Sequence, residues 1–111
     1  MTDVPARTPE PPYYAVIFTS RRTGDDGTGY GAAADRMLEL AAGQPGYLGV
    51  DSVREPSGLG ITVSYWRDEE SIAAWRRHAE HTATRERGRE RWYETFQVRV
   101  AKVDRAYGFS R

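Results

Sequence analysis

The run YYAVIFTS, residues 13–20, constrains the fold more than any other segment, because β-branched, aromatic and small side chains occupy both of its alternating faces. Such a run predicts a strand that is covered on both sides of its sheet. Helices on one face of a sheet leave the other face uncovered. We therefore expect a second copy of the chain to cover that face, in a homodimer that is joined through sheet faces and uses the long last strand.

The other hydrophobic patterns predict one domain, residues 13–109, with the element order β-α-β-β-α-β. The predicted elements after the first strand are a helix within 30–46 that Gly43 and Pro45 end, strands over 47–55 and 58–66, and a helix that follows Asp68 as its N-cap. After a break near residues 82–84 we expect a second helical piece over 84–91, and then a last strand over 93–109. This order is typical of a ferredoxin-like antiparallel sheet, an α+β fold with its helices on one face. The last strand alternates as Phe96, Val98 and Val100 and then shifts phase, which indicates either a bulge or a long strand whose surroundings change.

The tail and the overall composition limit the remaining possibilities. Residues 1–12 hold four of the six prolines and no hydrophobic pattern, which predicts a flexible tail outside the fold. The chain has no cysteine, so it has no disulfide and no thiolate ligand or nucleophile, and a reducing cytoplasm is the expected compartment. Sixteen basic and sixteen acidic residues cancel, which disfavours nucleic acid as a partner. No apolar run in the sequence is long enough to span a membrane.

Four blocks, QPGYLG, GITVSYW, SIAAWRRHAEH and GRERWYETFQVRV, resemble the antibiotic biosynthesis monooxygenase superfamily. The resemblance covers about residues 13–109 and implies a dimeric α+β barrel with one cavity per subunit, between the sheet and the helices. Some members oxidise anthrones or phenols with oxygen and without metal or flavin, and others bind and degrade haem. The resemblance implies a small cofactor-independent oxygenase that acts on an aromatic or polycyclic metabolite. The alternative is a dimeric barrel that binds haem or another small hydrophobic ligand without turnover.

The haem-degrading branch of this superfamily has an asparagine on the first strand, a tryptophan on the helix after the third strand, and a histidine ten residues later. Trp75 matches the tryptophan, but Arg85 stands ten residues after it and the chain contains no asparagine. The resemblance therefore implies no cofactor. Haem stays open as a ligand, because a histidine alone can bind haem iron.

Both histidines lie three residues apart on the helix that follows Asp68. At roughly 100° per residue, His78 lies at the border of the face that holds Trp75, whereas His81 points to solvent if the helix is straight. An imidazole can act as a general base at neutral pH. We therefore expect His78 to be the catalytic base, with His81 second, since the family has a histidine late in this helix. The pair lacks further ligands, so no metal site is expected.

Aromatic and apolar side chains near this helix are expected to line the substrate pocket and to keep water out of it. The expected pocket residues are Trp66, Trp75, Phe18, Tyr65 and Met37. Each of them can instead be an ordinary core residue, and His78 can be a histidine that is bonded to a carbonyl or carboxylate group.

Overall fold

The computed structural model describes the backbone of residues 4–22, 37–86 and 93–111, and the side chains of the same residues apart from 81–86. The start of the predicted first helix and most of the predicted helical piece over 84–91 lie outside these residues.

Four antiparallel strands form one sheet. Strand β1 covers Tyr13–Arg22, β2 covers Tyr47–Arg54, β3 covers Leu59–Trp66 and β4 covers Tyr93–Val103. Their order across the sheet is β2-β3-β1-β4. Helical residues 37–42 form the described part of α1, and α2 covers Glu69–Glu86. The predicted α+β, ferredoxin-like fold with helices on one face is confirmed.

Helix α2 begins where the sequence places its N-cap. The backbone N–H of Ser71 donates to Asp68 Oδ1 at 2.8 Å, which satisfies one of the amide groups that a helix leaves unpaired at its start. Hydrogen bonds from the Ser71 hydroxyl and N–H lower the pKa of Asp68. The predicted break near Thr82 is wrong, because α2 continues to Glu86. Threonine lowers helix propensity only slightly, and no glycine or proline stands at the expected break.

Strand pairing assigns each side chain to one of two faces of the sheet. The face on which Trp66 packs against α2 is here called the helix face, and the opposite one the outer face. Residues two apart on a strand share a face, and the pairs Phe18↔Thr62 and Ser52↔Thr62 carry the assignment to β1 and β2. The helix face therefore includes Tyr14, Val16, Phe18 and Ser20 of β1, Ser52 and Arg54 of β2, Thr62 and Ser64 of β3, and Phe96, Val98 and Val100 of β4.

The core lies on the helix face at the end of β3. Trp66 is completely buried and packs with Ala41 of α1 and Ile72 of α2. Its indole N–H donates to Ser64 Oγ at 2.9 Å, so this polar group is satisfied inside the core. Trp66 thus joins both helices to the sheet.

The N-terminal segment, residues 4–12, contacts the outer face although it contains neither helix nor strand. The backbone N–H of Ala6 donates to Asp51 Oδ1 at 2.7 Å, and Thr8 Oγ1 donates to the hydroxyl of Tyr13 at 2.8 Å. These two bonds attach the segment beside Tyr13 and Ala15, which are both buried. The flexibility of residues 1–12 stays a prediction.

Strand β4 is long, as the sequence predicts. It pairs with β1 in one register from Val103 back to Thr95, and the register shifts only between Arg21 and Arg22. The change of phase along the sequence therefore does not come from a bulge at that point, and the apolar residues before and after it lie on opposite faces of the strand. Phe96 faces the helices, whereas Ala101 lies on the outer face.

Candidate functional site

An aromatic cluster joins the helix face to α2. The rings of Trp66 and Trp75 are stacked, with centroids 6.1 Å apart and planes at 20°. Tyr47 meets Trp66 edge-on at 5.6 Å, and burial raises the pKa of its phenol. The imidazole of His78 lies 5.8 Å from the Trp75 ring at a tilt of 36°. We call these four residues the tryptophan cluster.

Both histidines lie on α2, and the structure describes the side chain of His78 but not that of His81. His78 is exposed and lies at the solvent side of Trp75, at the edge of the tryptophan cluster. His81 lies within the unbroken helix α2, and its side chain is outside the described part of the chain. The catalytic roles of both residues stay predictions.

A second aromatic cluster occupies the β1–β4 side of the helix face. Phe18 stacks on Phe96 at 5.4 Å with planes at 30°, and it meets Tyr93 edge-on at 5.5 Å. Tyr93 and Phe96 are 6.0 Å apart. We call these three residues the phenylalanine cluster. Together with the tryptophan cluster, they place aromatic rings at two positions on one face of the sheet.

A pair of hydroxyl side chains lies on the β2–β3 side of the phenylalanine cluster. The hydroxyls of Ser52 and Thr62, on neighbouring strands, are hydrogen-bonded at 2.6 Å. Thr62 is also the direct partner of Phe18 across β1. Across this row of the sheet, the helix face therefore carries hydroxyl groups on β2 and β3 and apolar side chains on β1 and β4.

An arginine lies flat on the same face at the β2–β3 hairpin. Arg54 donates to Ser20 Oγ at 2.8 Å and to the carbonyl oxygen of Gly58. A Cβ atom at Gly60 would stand 2.7 Å from Arg54 Cζ, so the absence of a side chain at Gly60 makes room for the guanidinium. Ser20 is almost fully buried beneath it.

Tyr65 and Trp66 lie on opposite faces of the sheet, although both were expected to line the pocket. Neighbouring residues of a strand point to opposite faces, so Tyr65 lies on the outer face. Its hydroxyl donates to Asp51 Oδ2 at 2.8 Å, and its ring meets Tyr13 edge-on at 5.9 Å. Burial, with a smaller contribution from Asp51, raises the pKa of Tyr65 to about 12.

The other expected pocket residues lie on the side of the helices. Trp66, Trp75 and Phe18 face the site, in two clusters rather than one. Met37 is half-buried in α1.

Within the described side chains, no group of three or more histidine, aspartate or glutamate residues lies together as metal ligands. Likewise, no helix in the described part of the chain is both long enough and apolar enough to cross a membrane.

Comparison with known proteins agrees with this fold. The family model described as antibiotic biosynthesis monooxygenase matches residues 13–87, which include β1–β3 and α2. The chain belongs to the antibiotic biosynthesis monooxygenase family.

Two curated proteins and a solved structure show the range of this family. The chain is 61% identical over 105 residues to "Uncharacterized protein YqjZ" of Bacillus subtilis, which covers 95% of this chain and 91% of that protein. It is 31% identical over 94 residues to "Jasmonate monooxygenase ABM" of Pyricularia oryzae, with 81% of this chain and 43% of that protein covered. Less than half of that longer protein is therefore matched.

The solved structure is that of SnoaB from Streptomyces nogalater, which is described as a cofactor-independent oxygenase. It superposes with a TM-score of 0.69 at 14% identity, covering 86% of this chain and 97% of SnoaB. At this identity the match supports the shared fold of the antibiotic biosynthesis monooxygenase family and not a shared substrate.

The sequence reasoning missed several residues of this monooxygenase-fold site. Tyr47 lies in the tryptophan cluster, and Ser52 and Thr62 form a hydrogen-bonded hydroxyl pair on the same face of the sheet. The alternation of β3 gives a usable signal, because positions 64 and 62 share the face of Trp66 and both carry hydroxyls where a core face favours apolar residues.

Proposed function

We propose that this protein is a cofactor-independent oxygenase that acts on an aromatic or polycyclic metabolite bound on the helix face. The observation that carries the proposal is the stacked pair of Trp66 and Trp75 with the His78 imidazole 5.8 Å from the Trp75 ring. The half-buried ring of Trp75, which rests on the fully buried Trp66, can contact a flat apolar molecule, and the adjacent imidazole can take a proton from it. Membership in the family and the monooxygenase relative support the reaction class.

The proposed reaction needs little from the protein. His78 removes a proton from a phenolic or enolic substrate, and the resulting anion transfers an electron to O₂. The substrate radical and superoxide then combine beside the aromatic rings and form a C–O bond. The protein therefore has to hold the ring, accept one proton and keep the radicals together, which aromatic walls and a single base can do.

The residues present do not fit the haem-degrading pattern. The helix face of β1 carries Val16 and Phe18, and no asparagine occurs in the chain. His78 is exposed beside Trp75. No step of the proposed reaction passes through haem.

Oxygen uptake with anthrone as substrate tests the proposal. We expect the wild-type protein to consume oxygen after dialysis against a chelator, and His78→Ala to lose about 100-fold in rate, which is typical of removing a general base. His81→Ala is the matched control and should keep most of the activity. Equal rates for His78→Ala and wild type, or a loss confined to His81→Ala, would contradict the role of His78.

A hemin titration separates the two functions that the family includes. An absence of oxygen uptake together with a saturable Soret shift that disappears in His78→Ala would replace the oxygenase proposal with a haem-binding protein. Neither uptake nor a Soret shift over a panel of phenols and anthrones would remove the oxygenase assignment.

We propose in addition that two copies pair through the outer faces of their sheets. Apolar side chains on the hairpin end of this face are exposed: Val53 by 73%, Ile61 by 43% and Leu59 by 38%. Val53 and Ile61 are direct neighbours across β2 and β3. A contiguous exposed apolar patch supports a protein interface.

A further inference from the structure

We propose that residues 104–111 form an arm that packs on a second copy of this chain, with the rings of Tyr107 and Phe109 against exposed apolar side chains of that copy. These side chains are Val53, Leu59 and Ile61 on the outer face, here called the hairpin patch. The role of the arm rests on the proposed pairing of outer faces, and it adds the segment that completes this interface.

The arm exposes two large aromatic side chains. It follows β4 and contains no helix, strand, turn or bend. Tyr107 is exposed by 102% and Phe109 by 86%, so both rings are open to solvent in a single copy. The guanidinium carbon of Arg111 lies 5.9 Å from the centre of the Phe109 ring, a contact within the arm itself. Two exposed rings so close together favour contact with another molecule.

The two rings lie on the same side of the sheet as the hairpin patch. Val103, the last residue of β4, pairs with Tyr13 on the outer face. Side chains two apart on an extended chain share a side, so positions 107 and 109 continue the side of Val103. The arm therefore presents its rings in the direction in which the outer face meets a partner.

Distance excludes the hairpin patch of the same copy. Val103 pairs with position 13 of β1, whereas Ile61, the nearest residue of the patch, pairs with position 19. Six residues of a strand cover about 20 Å. Tyr107 follows Val103 by four residues, which span at most about 14 Å when fully extended. The ring of Tyr107 can therefore reach the hairpin patch of another copy only.

A two-fold axis can bring each arm to the hairpin patch of the partner. The arm leaves the sheet at the Tyr13 end of β1, and the patch lies at the opposite end. In a symmetric dimer both copies use the same surface. When an axis that runs across the strands relates the two outer faces, the start of each arm lies at the partner's hairpin end. The width of the sheet from β4 to β2 is about 14 Å, less than the length of the extended arm.

The buried area favours the same arrangement. A stable interface buries about 800 Å² per partner, which the three side chains of the hairpin patch do not supply. An aromatic side chain buries roughly 150–250 Å², so the two rings of one arm add about 300–500 Å² by the same measure. Aromatic side chains are also common among the residues that carry most of the binding energy of an interface.

The dissociation constant of the dimer tests the role of the rings. Sedimentation equilibrium of the whole chain measures it for wild type and for a variant that combines Tyr107→Ser with Phe109→Ser. We expect the dissociation constant to rise at least about 100-fold, because both rings are lost from both copies. Tyr107→Phe keeps the ring and should dimerise like wild type.

Ala106→Ser combined with Gly108→Ser is the matched control. These positions lie on the other side of the extended arm, and a Cβ atom at Gly108 has no neighbour within 4 Å. The control should dimerise like wild type, and circular dichroism should show that every variant is folded. The same dissociation constant for the double aromatic variant and wild type, or equal weakening by the control, would overturn the role of the arm.

Cross-linking tests where the arm lies. The chain has no cysteine, so Ser110→Cys on one copy and Glu55→Cys on another provide one thiol each, beside the rings and beside the hairpin patch. A short bismaleimide should join a mixture of the two variants, and peptide masses identify the linked residues. Arg77→Cys, at an exposed position of α2, replaces Glu55→Cys in the control and should give no link to position 110. Equal linking to positions 55 and 77, or no link to position 55, would overturn the proposed contact.

The dimer and the arm fail in different ways. If wild type is dimeric and loss of both rings leaves its dissociation constant unchanged, the pairing of outer faces stands without the arm. If wild type is monomeric over the whole concentration range, both are removed. Oxygen uptake is a separate measurement, so neither result decides the oxygenase proposal.

Discussion

Tyr65 shows how a single side chain connects the N-terminal segment to the sheet. Its hydroxyl donates to Asp51 Oδ2, and the other oxygen of Asp51 accepts the backbone N–H of Ala6. We expect Tyr65→Phe to lower the free energy of unfolding by about 1–2 kcal/mol, somewhat below the usual value for a hydrogen bond to a charged group because the site is partly exposed. Tyr107→Phe, at a fully exposed position, is the control and should have no effect.

The pH dependence of this contribution follows from the raised pKa. The folded protein holds the Tyr65 proton up to about pH 12, whereas an unfolded chain releases it near 10.0, the ordinary pKa of a tyrosine. The stabilisation is therefore fully present below pH 10 and is lost as pH rises through 12. Urea unfolding of wild type and Tyr65→Phe over this range measures it. A difference between the two proteins that stays constant with pH would contradict the assignment.

For single residues, the sequence predicted which residue types line the site better than it predicted on which face of the sheet each of them lies. Trp66 and Tyr65 both suit a pocket by composition, but the two-residue period of β3 separates them. The period was available from the sequence, and applying it to Trp66 also selects Ser64 and Thr62. The bond between Ser52 and Thr62 was not available, because it depends on the register of β2 against β3.

At the scale of the elements, the backbone just before β2 lies close against the start of α2. Gly46 has a φ of +85°, and a Cβ atom there would stand 2.6 Å from the Cβ of Ser71. Its carbonyl oxygen accepts the N–H of Arg67 at 2.8 Å. We expect Gly46→Ala to destabilise the protein by about 2–4 kcal/mol, from the left-handed backbone and the overlap together.

Chemical denaturation of four variants checks this expectation: Gly46→Ala, Ser71→Gly, the two changes together, and Gly108→Ala. Gly108→Ala is the control, because a Cβ there has no neighbour within 4 Å. Adding Ser71→Gly to Gly46→Ala should remove the overlap and recover part of the loss, so the two changes should be non-additive. The same stability for Gly46→Ala and Gly108→Ala would show that the loop adapts without cost.

The elements themselves follow from local chemistry wherever the local signal is strong. The cap at Asp68 starts α2, and the side-chain patterns give β1, β2 and β3 within one or two residues of their ends, whereas β4 ends at Val103, six residues before the predicted end. The predicted break in α2 failed because two threonines are too weak a signal to end a helix that packs through Ile72 and Trp75.

At the scale of the whole molecule, the sequence predicts the fold because burial patterns of β1 and the element order leave few alternatives. The outer face is less predictable. The N-terminal segment attaches to the end of it near Tyr13, through hydrogen bonds that no hydrophobic pattern reveals. The proposed partner copy would therefore contact the hairpin end of this face, where Val53, Leu59 and Ile61 are exposed.

The proposed dimer predicts a clear effect of one charge on this patch. A stable interface buries about 800 Å² per partner, more than three side chains supply, so β4 has to contribute as well. We expect wild type to be dimeric at micromolar concentration and Ile61→Glu to be monomeric, because a glutamate in the interface has to be buried without a partner. Light scattering after gel filtration measures both masses. Ala73→Glu, at an exposed position of α2, is the control and should stay dimeric. A monomeric wild type, or a dimeric Ile61→Glu, would place the interface elsewhere or remove it.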